Sequence, residues 1–304
     1  MKTPYQLMKA VYNRIYFYCC PDKIYLNNKF KKVFGRNIDW KNPTTFNEKL
    51  QWLKIYDRNP LYTKLVDKYE VRKYIAEKIG WEYLIPCLGV WDRFEDIDFS
   101  QLPDQFVLKC THDSNSVVVC KDKKQFHHAQ TKQRLNEHLR RSFYYNAREW
   151  PYKNVKRRII AEAYMEDEKT HELRDYKLFA FCGKVKALFI ASDRQNPNEQ
   201  VKFDFFDSDY KHLDIRQGHP NSEILPEKPL HLEEMIQLAE VLSKDFPQVR
   251  VDFYECNGKI YFGELTFFHH SGFVPFDPEC WDKTFGDWIM LPVKSGQEGK
   301  QYVC

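Results

Sequence analysis

Apolar positions in residues 1–80 recur at helical spacing. FNEKLQWLKIYDRN puts Phe46, Leu50, Leu53 and Ile55 on one stripe, behind the start signal Pro43-Thr44-Thr45. LYTKLVDKYEVRKYIAEKIG predicts a second, continuous helix that stops at Gly80. The period then changes. WEYLIPCLGVWDRF predicts a short strand and turn, and PDQFVLKCTHDSNSVVVCKD a strand, a polar loop and a strand. A basic helix is expected over 127–148, and KRRIIAEAYMED as a strand entering a polar turn. Further on, YKLFAFCGKVKALFIASDR predicts a hairpin around Cys182-Gly183, and EQVKFDFFDSDYKHLDIR a strand and turn. PLHLEEMIQLAEVLSKDF carries Leu232, Met235, Ile236, Ala239 and Leu242 on one helical face. RVDFYECNGKIYFGELT predicts two strands about Asn257-Gly258, and a last short helix falls near 282–289. The sum is a helical front piece followed by largely antiparallel α+β material.

Composition narrows the class. At 304 residues, 43% hydrophobic and 30% charged, the chain is long enough for two or three packed units. No apolar run is long enough to span a bilayer. The N-terminal apolar patch is broken by Lys9 and Arg14 and lacks a cleavage site, so no leader is expected. Nine scattered cysteines without a C-x-x-C pair predict reduced thiols, hence a cytoplasmic location. Residues 1–80 hold 17 Lys and Arg against 7 Asp and Glu. That excess fits solvated helix faces, or an anionic partner such as an acidic polysaccharide or lipid headgroup at the inner face of a membrane. Nucleic acid is not expected, because no RNP-like, zinc-finger or helix-turn-helix pattern occurs.

Three stretches carry candidate chemistry. Lys109 ends an apolar strand and precedes THDSNS, a loop of small polar residues able to fold over phosphates; a plain hairpin with a snorkelling lysine is the alternative. The strand IIAEAYM ends in Glu162 and continues through Ala163 to Met165, where backbone groups and a soft apolar wall suit an adenine edge. An ordinary strand end is the alternative. In the hairpin after Arg250, Asp252 and Glu264 are acids in apolar company, and pairing about Asn257-Gly258 brings both to one cleft. Two carboxylates that close repel unless a cation intervenes, and oxygen donors suit Mg²⁺. The alternative is an Arg–carboxylate network without metal.

The order of these features, with DKYEVR at 67–72, IPCLGVW at 85–91, LPDQFVLK at 102–109, RDYKLFAFCGKV at 174–185 and RVDFY…GKIYFGELTFFHHSGF at 250–273, resembles the TupA-like ATP-grasp family from about residue 40 to 291. The resemblance implies an ATP-grasp fold: an N-terminal helical region (1–100), a small subdomain (101–168) and a large subdomain with the catalytic site (169–304). It implies ATP and Mg²⁺ as cofactors, and ligation of a carboxylate to an amine through an acylphosphate, in cell-surface polysaccharide assembly. By position, Lys109 resembles the lysine on the α/β-phosphates, and Ser114 and Ser116 lie in the phosphate-covering loop. Glu162, Ala163 and Met165 sit at the adenine, and Asp175 at the ribose with Lys177 on the same strand face. Arg250 matches the catalytic arginine, and Asp252, Glu264 and Thr266 the Mg²⁺ set. The loop departs from the family in having no glycine, and Thr266 stands where Asn is usual. His269 and His270 either face the acceptor or pack against the loop at Gly272. The implied partners are an acidic sugar or polysaccharide acceptor, an amine or amino acid, and a lipid-linked intermediate.

Two other readings compete. Asp207-Ser208-Asp209 follows an apolar run and could hold a metal on a nucleotide sugar, as in a glycosyltransferase; Asp96-Ile97-Asp98 is a second such triplet, but the βαβ series with a Gly-rich turn is missing. A sugar kinase would share the ATP site. A basic polysaccharide-binding module would leave Lys109, Asp252 and Glu264 unexplained.

Overall fold

The computed structural model describes residues 4–169, 171–192 and 200–292. The 193–194 end of the expected hairpin and residues 293–304 of the expected large subdomain lie outside them. Helices α1 (Pro4–Cys19), α2 (Asp22–Phe34), α3 (Phe46–Tyr56), α4 (Leu61–Leu65) and α5 (Val71–Lys78) come first. Strands β1 (Cys87–Trp91), β2 (Phe106–Cys110) and β3 (Val118–Cys120) follow, then α6 (His128–Arg140), α7 (Tyr144–Ala147) and β4 (Ile159–Ala163). The rest comprises β5 (Asp175–Phe181), β6 (Lys184–Ser192), β7 (Lys202–Phe206), β8 (His212–Leu213), α8 (Leu232–Ser243), β9 (Val249–Cys256), β10 (Lys259–Thr266) and α9 (Cys280–Trp288).

The strands form two antiparallel sheets. The smaller runs β1-β4-β2-β3 and the larger β10-β9-β5-β6-β7-β8. The small sheet takes its edge strand from 87–91, so residues expected in the N-terminal region contribute to it. One face of it, with Phe106, Leu108, Cys110, Ile159 and Ala161, packs with Leu135 of α6 into a core of its own. The large sheet, α8 and Phe46, Leu50 and Leu53 of α3 share the main core, whereas Ile55, expected on the same stripe, packs with Leu26 and Phe30 of α2 in a separate cluster because it sits round the helix from the other three. Both expected hairpin turns form. Asn257 and Gly258, and Cys182 and Gly183, all have positive φ, which two-residue turns between twisted strands require.

Thr45 caps α3 with a reciprocal box: its hydroxyl accepts from Glu48 N, and the Glu48 carboxylate accepts from Thr45 N. Lys49 then donates to the carbonyls of Gly286 and Ile289, and Asn47 to Asp282, which ties α3 to α9. A Cβ on Gly286 would stand 2.3 Å from the Thr44 carbonyl oxygen, so only glycine allows this approach.

Two helices differ from expectation. The second predicted helix is broken into α4 and α5, because the Asp67 carboxylate accepts from Tyr69 N and Glu70 N and so offers the backbone a turn instead. Arg158 locks that turn by reaching Asp67 and Glu70, each at 2.8 Å. The basic helix of 127–148 ends at Arg140 and resumes only as the single turn of α7.

Candidate active site

The hairpin β9–β10 supplies the acidic face. Asp252 pairs with Glu264 and Arg250 with Thr266. This register exists because the ladder shifts at Gly263. Below the shift Phe262 pairs with Phe253 and is buried in the core; above it Glu264 points to the cleft. The neighbouring β5 places Lys177 beside Asp252, so Lys177, Asp252 and Glu264 form a row across three strands.

Charge is nearly balanced along this row. Lys177 Nζ lies 2.5 Å from Asp252 and 3.3 Å from Asp175. Arg250 grips both Asp252 oxygens, at 2.6 and 2.7 Å, and its Nη2 reaches Glu264 at 3.1 Å and Thr266 Oγ1 at 3.0 Å. Burial alone would raise the Asp252 carboxyl, but Arg250 and Lys177 outweigh it and hold it below the ordinary carboxylate range. Burial pushes Lys177 below the usual lysine range, against the pull of Asp252. Arg250 Nη1 also donates to His269 Nδ1 at 2.6 Å, so His269 carries its proton on Nε2 and donates to Gln217 Oε1 at 3.0 Å. Burial, with His270, Arg250 and Lys177 nearby, pushes His269 well below its ordinary value. His269 therefore braces the arginine.

The small sheet carries other candidates. Lys109 Nζ is 2.5 Å from Glu162, and Arg72 approaches the same carboxylate at 3.7 Å. Ala163 N donates to the Pro86 carbonyl, which fixes the start of the linker toward Met165. Asp175 is buried at the start of β5. In the loop after Lys109, Ser114 is exposed at the tip. Asn115 takes the left-handed conformation, φ 69°, that a glycine would otherwise supply. Ser116 is a correction to expectation. It is buried, its hydroxyl accepts from Cys110 N at 2.8 Å and donates to Asp113 at 2.7 Å, so the side chain shapes the loop and does not face the cleft.

Lys68 was hidden in the sequence. The break between α4 and α5 turns it inward, where Nζ donates to the Asp113 carbonyl of the loop. Burial lowers it, Glu264 opposes that, and Lys109 adds to it; its backbone N–H also donates to the Thr111 carbonyl of the same loop. The signal was an Asp able to open a turn, in the middle of a helical period.

Asp207 and Asp209 lie apart from this face, in the β7–β8 turn two strands beyond β5. The Asp207 carboxylate accepts from Asp209 N and Lys211 N, a turn-forming use.

The donors fit Mg²⁺ in kind. Asp252, Glu264 and Thr266 offer oxygen only, and two carboxylates leave room for waters and phosphate oxygens. Among the described residues no group of three or more His, Cys, Asp or Glu side chains gathers as a protein-only metal cage.

The profile of the family described as TupA-like ATPgrasp matches residues 48–290. No curated protein is significantly similar to the chain. Among solved structures, D-alanine–D-alanine ligase from Bacillus anthracis aligns at 20% identity over 67% of this chain and 57% of that one, with a TM-score of 0.38. The corresponding ligase from Helicobacter pylori aligns at 15% over 81% and 69%, TM-score 0.42. D-cycloserine synthetase DcsG aligns at 16% over 68% and 64%, TM-score 0.39. The chain thus spans less than two thirds of the first of these structures.

Proposed function

Since the chain belongs to the TupA-like ATP-grasp family, we propose that it is an enzyme, an ATP-dependent carboxylate–amine ligase. One observation carries the reading: buried Lys177 and Asp252 stand in one row with the part-exposed Glu264, Arg250 spans the row, and Lys68 is within electrostatic reach of both Glu264 and Lys109. Acids that can hold a cation and bases that can hold phosphate are thereby gathered together.

In this reading Lys68 and Lys109 bind the α/β-phosphates, and the loop around Ser114 closes over them. The linker Glu162–Ala163–Met165 meets the adenine and Asp175 the ribose. Arg250 and Lys177 leave their carboxylates to bear charge on the transferring phosphoryl group. Asp252, Glu264 and Thr266 hold Mg²⁺, which neutralises phosphate charge when bound. The nucleotide lies between the small unit, 101–168 with β1, and the large unit, 169–304. No covalent protein nucleophile is required, and positioning supplies much of the rate.

The carboxylate substrate is a sugar acid or peptide of a cell-surface polysaccharide in this proposal, which the basic excess of residues 1–80 supports. Contact with a membrane or lipid-linked intermediate is proposed for α1, whose Met8, Val11, Ile15 and Tyr18 are exposed at helical spacing. No helix among the described residues is long and apolar enough to cross a membrane.

Thermal unfolding with MgATP tests the site. A ligand at one hundred times its dissociation constant adds about 2.7 kcal/mol. The expected result is stabilisation of the wild type that Asp252→Asn/Glu264→Gln abolishes. Stabilisation by a UDP-sugar with Mn²⁺ alone would overturn the proposal. Phosphate released free, not retained on the carbohydrate product, separates ligase from kinase.

A further inference from the structure

The cations of the nucleotide cleft, Lys68, Lys109, Lys177 and Arg250, suit phosphate and carboxylate, yet ligation also needs an amine, which arrives as an ammonium. Glu149 is a buried carboxylate that the nucleotide reading does not use. Among the described residues it has no ion pair, and its one hydrogen bond comes from Ser271 Oγ at 2.5 Å. Lys54, the cation that influences it most, spends its Nζ elsewhere: on Gln51 Oε1 at 3.1 Å and on the carbonyls of Ala147 at 3.0 Å and Ser271 at 2.7 Å. A carboxylate kept buried without a close counter-charge is costly, and such groups concentrate where function needs them.

Its surroundings point the same way. Tyr152 is half-buried, and its hydroxyl has no hydrogen-bond partner among the described residues. The Tyr152 N–H donates to the Glu149 carbonyl at 3.1 Å, which sets the two residues on one turn; burial raises the phenol well above its usual value, with Glu149 and Glu264 adding to the rise and Arg250 opposing it. Burial likewise raises the Glu149 carboxyl; Lys54, the Ser271 hydrogen bond and Lys29 oppose this, and Glu264 adds to it. The turn that carries Ser271 follows directly from β10 and is strained. His270 and Ser271 have φ 46° and 55°, a region that non-glycine residues rarely occupy. Lys54 and Gln51 hold it there through the carbonyls of Ser271 and Gly272.

We propose that Glu149 and Tyr152 form the subsite for the amine substrate, a primary ammonium, beside the turn that follows β10. This rests on the ligase reading. Glu149 binds the ammonium and takes one proton from it. The free amine attacks the acyl carbon, the N–C bond forms as the C–O bond to phosphate breaks, and phosphate leaves with the electron pair. The second nitrogen proton leaves with the phosphate, and the Glu149 proton returns to water. The Tyr152 hydroxyl accepts from the amine and orients it.

The test uses the full chain saturated with MgADP and two probes, glycinamide and its uncharged analogue N-acetylglycinamide. Glycinamide should raise Tm by about 2 °C, and the acetylated probe should not. Glu149→Gln, which can still accept from Ser271, should abolish the response, and Tyr152→Phe should reduce it. Wild-type protein that responds to MgADP but not to glycinamide overturns the proposal, as do variants that respond like the wild type. Failure of MgADP itself to stabilise the wild type would count against the ligase reading, and glycinamide alone would then still report on the subsite. Should Glu149→Gln not fold, Tyr152→Phe decides.

Discussion

Glu264 faces Asp252 because the ladder slips by one residue immediately before it, at Gly263. In a regular strand Glu264 would share a face with Phe262, and the acid or the ring would be on the wrong side. A Cβ at Gly263 would come within 3.1 Å of the Asp252 carbonyl oxygen and of the Tyr254 ring. Gly263→Ala should therefore cost about 1–3 kcal/mol by crowding. It should also weaken stabilisation by MgATP, measured by denaturant unfolding with and without nucleotide.

Asp252 is the shared counter-charge of Arg250 and Lys177. Asp252→Asn should cost the nucleotide-free protein about 3–5 kcal/mol, since it leaves buried cations underpaired. The sign with pH follows. The folded carboxyl lies below its unfolded value, so its stabilisation is complete above the ordinary carboxylate range and is lost as pH falls through the lowered value. Acid unfolding of the wild type should show this loss, and Asp252→Asn should show less of it.

Lys54 gives up its proton at lower pH than a solvated lysine. Burial lowers it to about 7, with Glu149 opposing and Lys29 adding. The folded value is below the unfolded one, so its contribution is complete above the ordinary lysine range and lost as pH falls toward 7. Between pH 7 and 9 the wild type should gain about 2 kcal/mol more stability than Lys54→Met. Urea unfolding at both values checks this.

Lys68 donates to the loop after β2, and Lys109 is within electrostatic reach of it. Lys68→Met should weaken MgATP binding at least about tenfold, the value of one charge-assisted hydrogen bond. Titration calorimetry measures it. Asp207→Asn/Asp209→Asn should leave that binding unchanged and lower stability only modestly, because these residues shape a turn.

The hairpins were legible because their turns depend on local chemistry: Asn257-Gly258 and Cys182-Gly183 need only positive φ at adjacent residues. The Asp252–Glu264 pairing was legible for the same reason, though not the bulge that makes it consistent with a buried Phe262. Lys68 was not legible, since its position depends on Asp67 breaking a helix whose apolar period runs on without interruption. The inward turn of Ser116 depends on Asp113, which His138 of α6 also contacts. Glu149 and Tyr152 have no periodicity to mark them, and Ser271, which donates to Glu149, lies far away in sequence.

The strained turn at His270 and Ser271 is gripped by Gln51 and Lys54 of α3, and α3 is in turn clasped by α9 through Lys49, Asn47 and Gly286. Early and late parts of the chain thus interlock around one turn. A growing polypeptide cannot complete this contact until α9 has left the ribosome. Until then α3 must wait, capped at its start but without its dock.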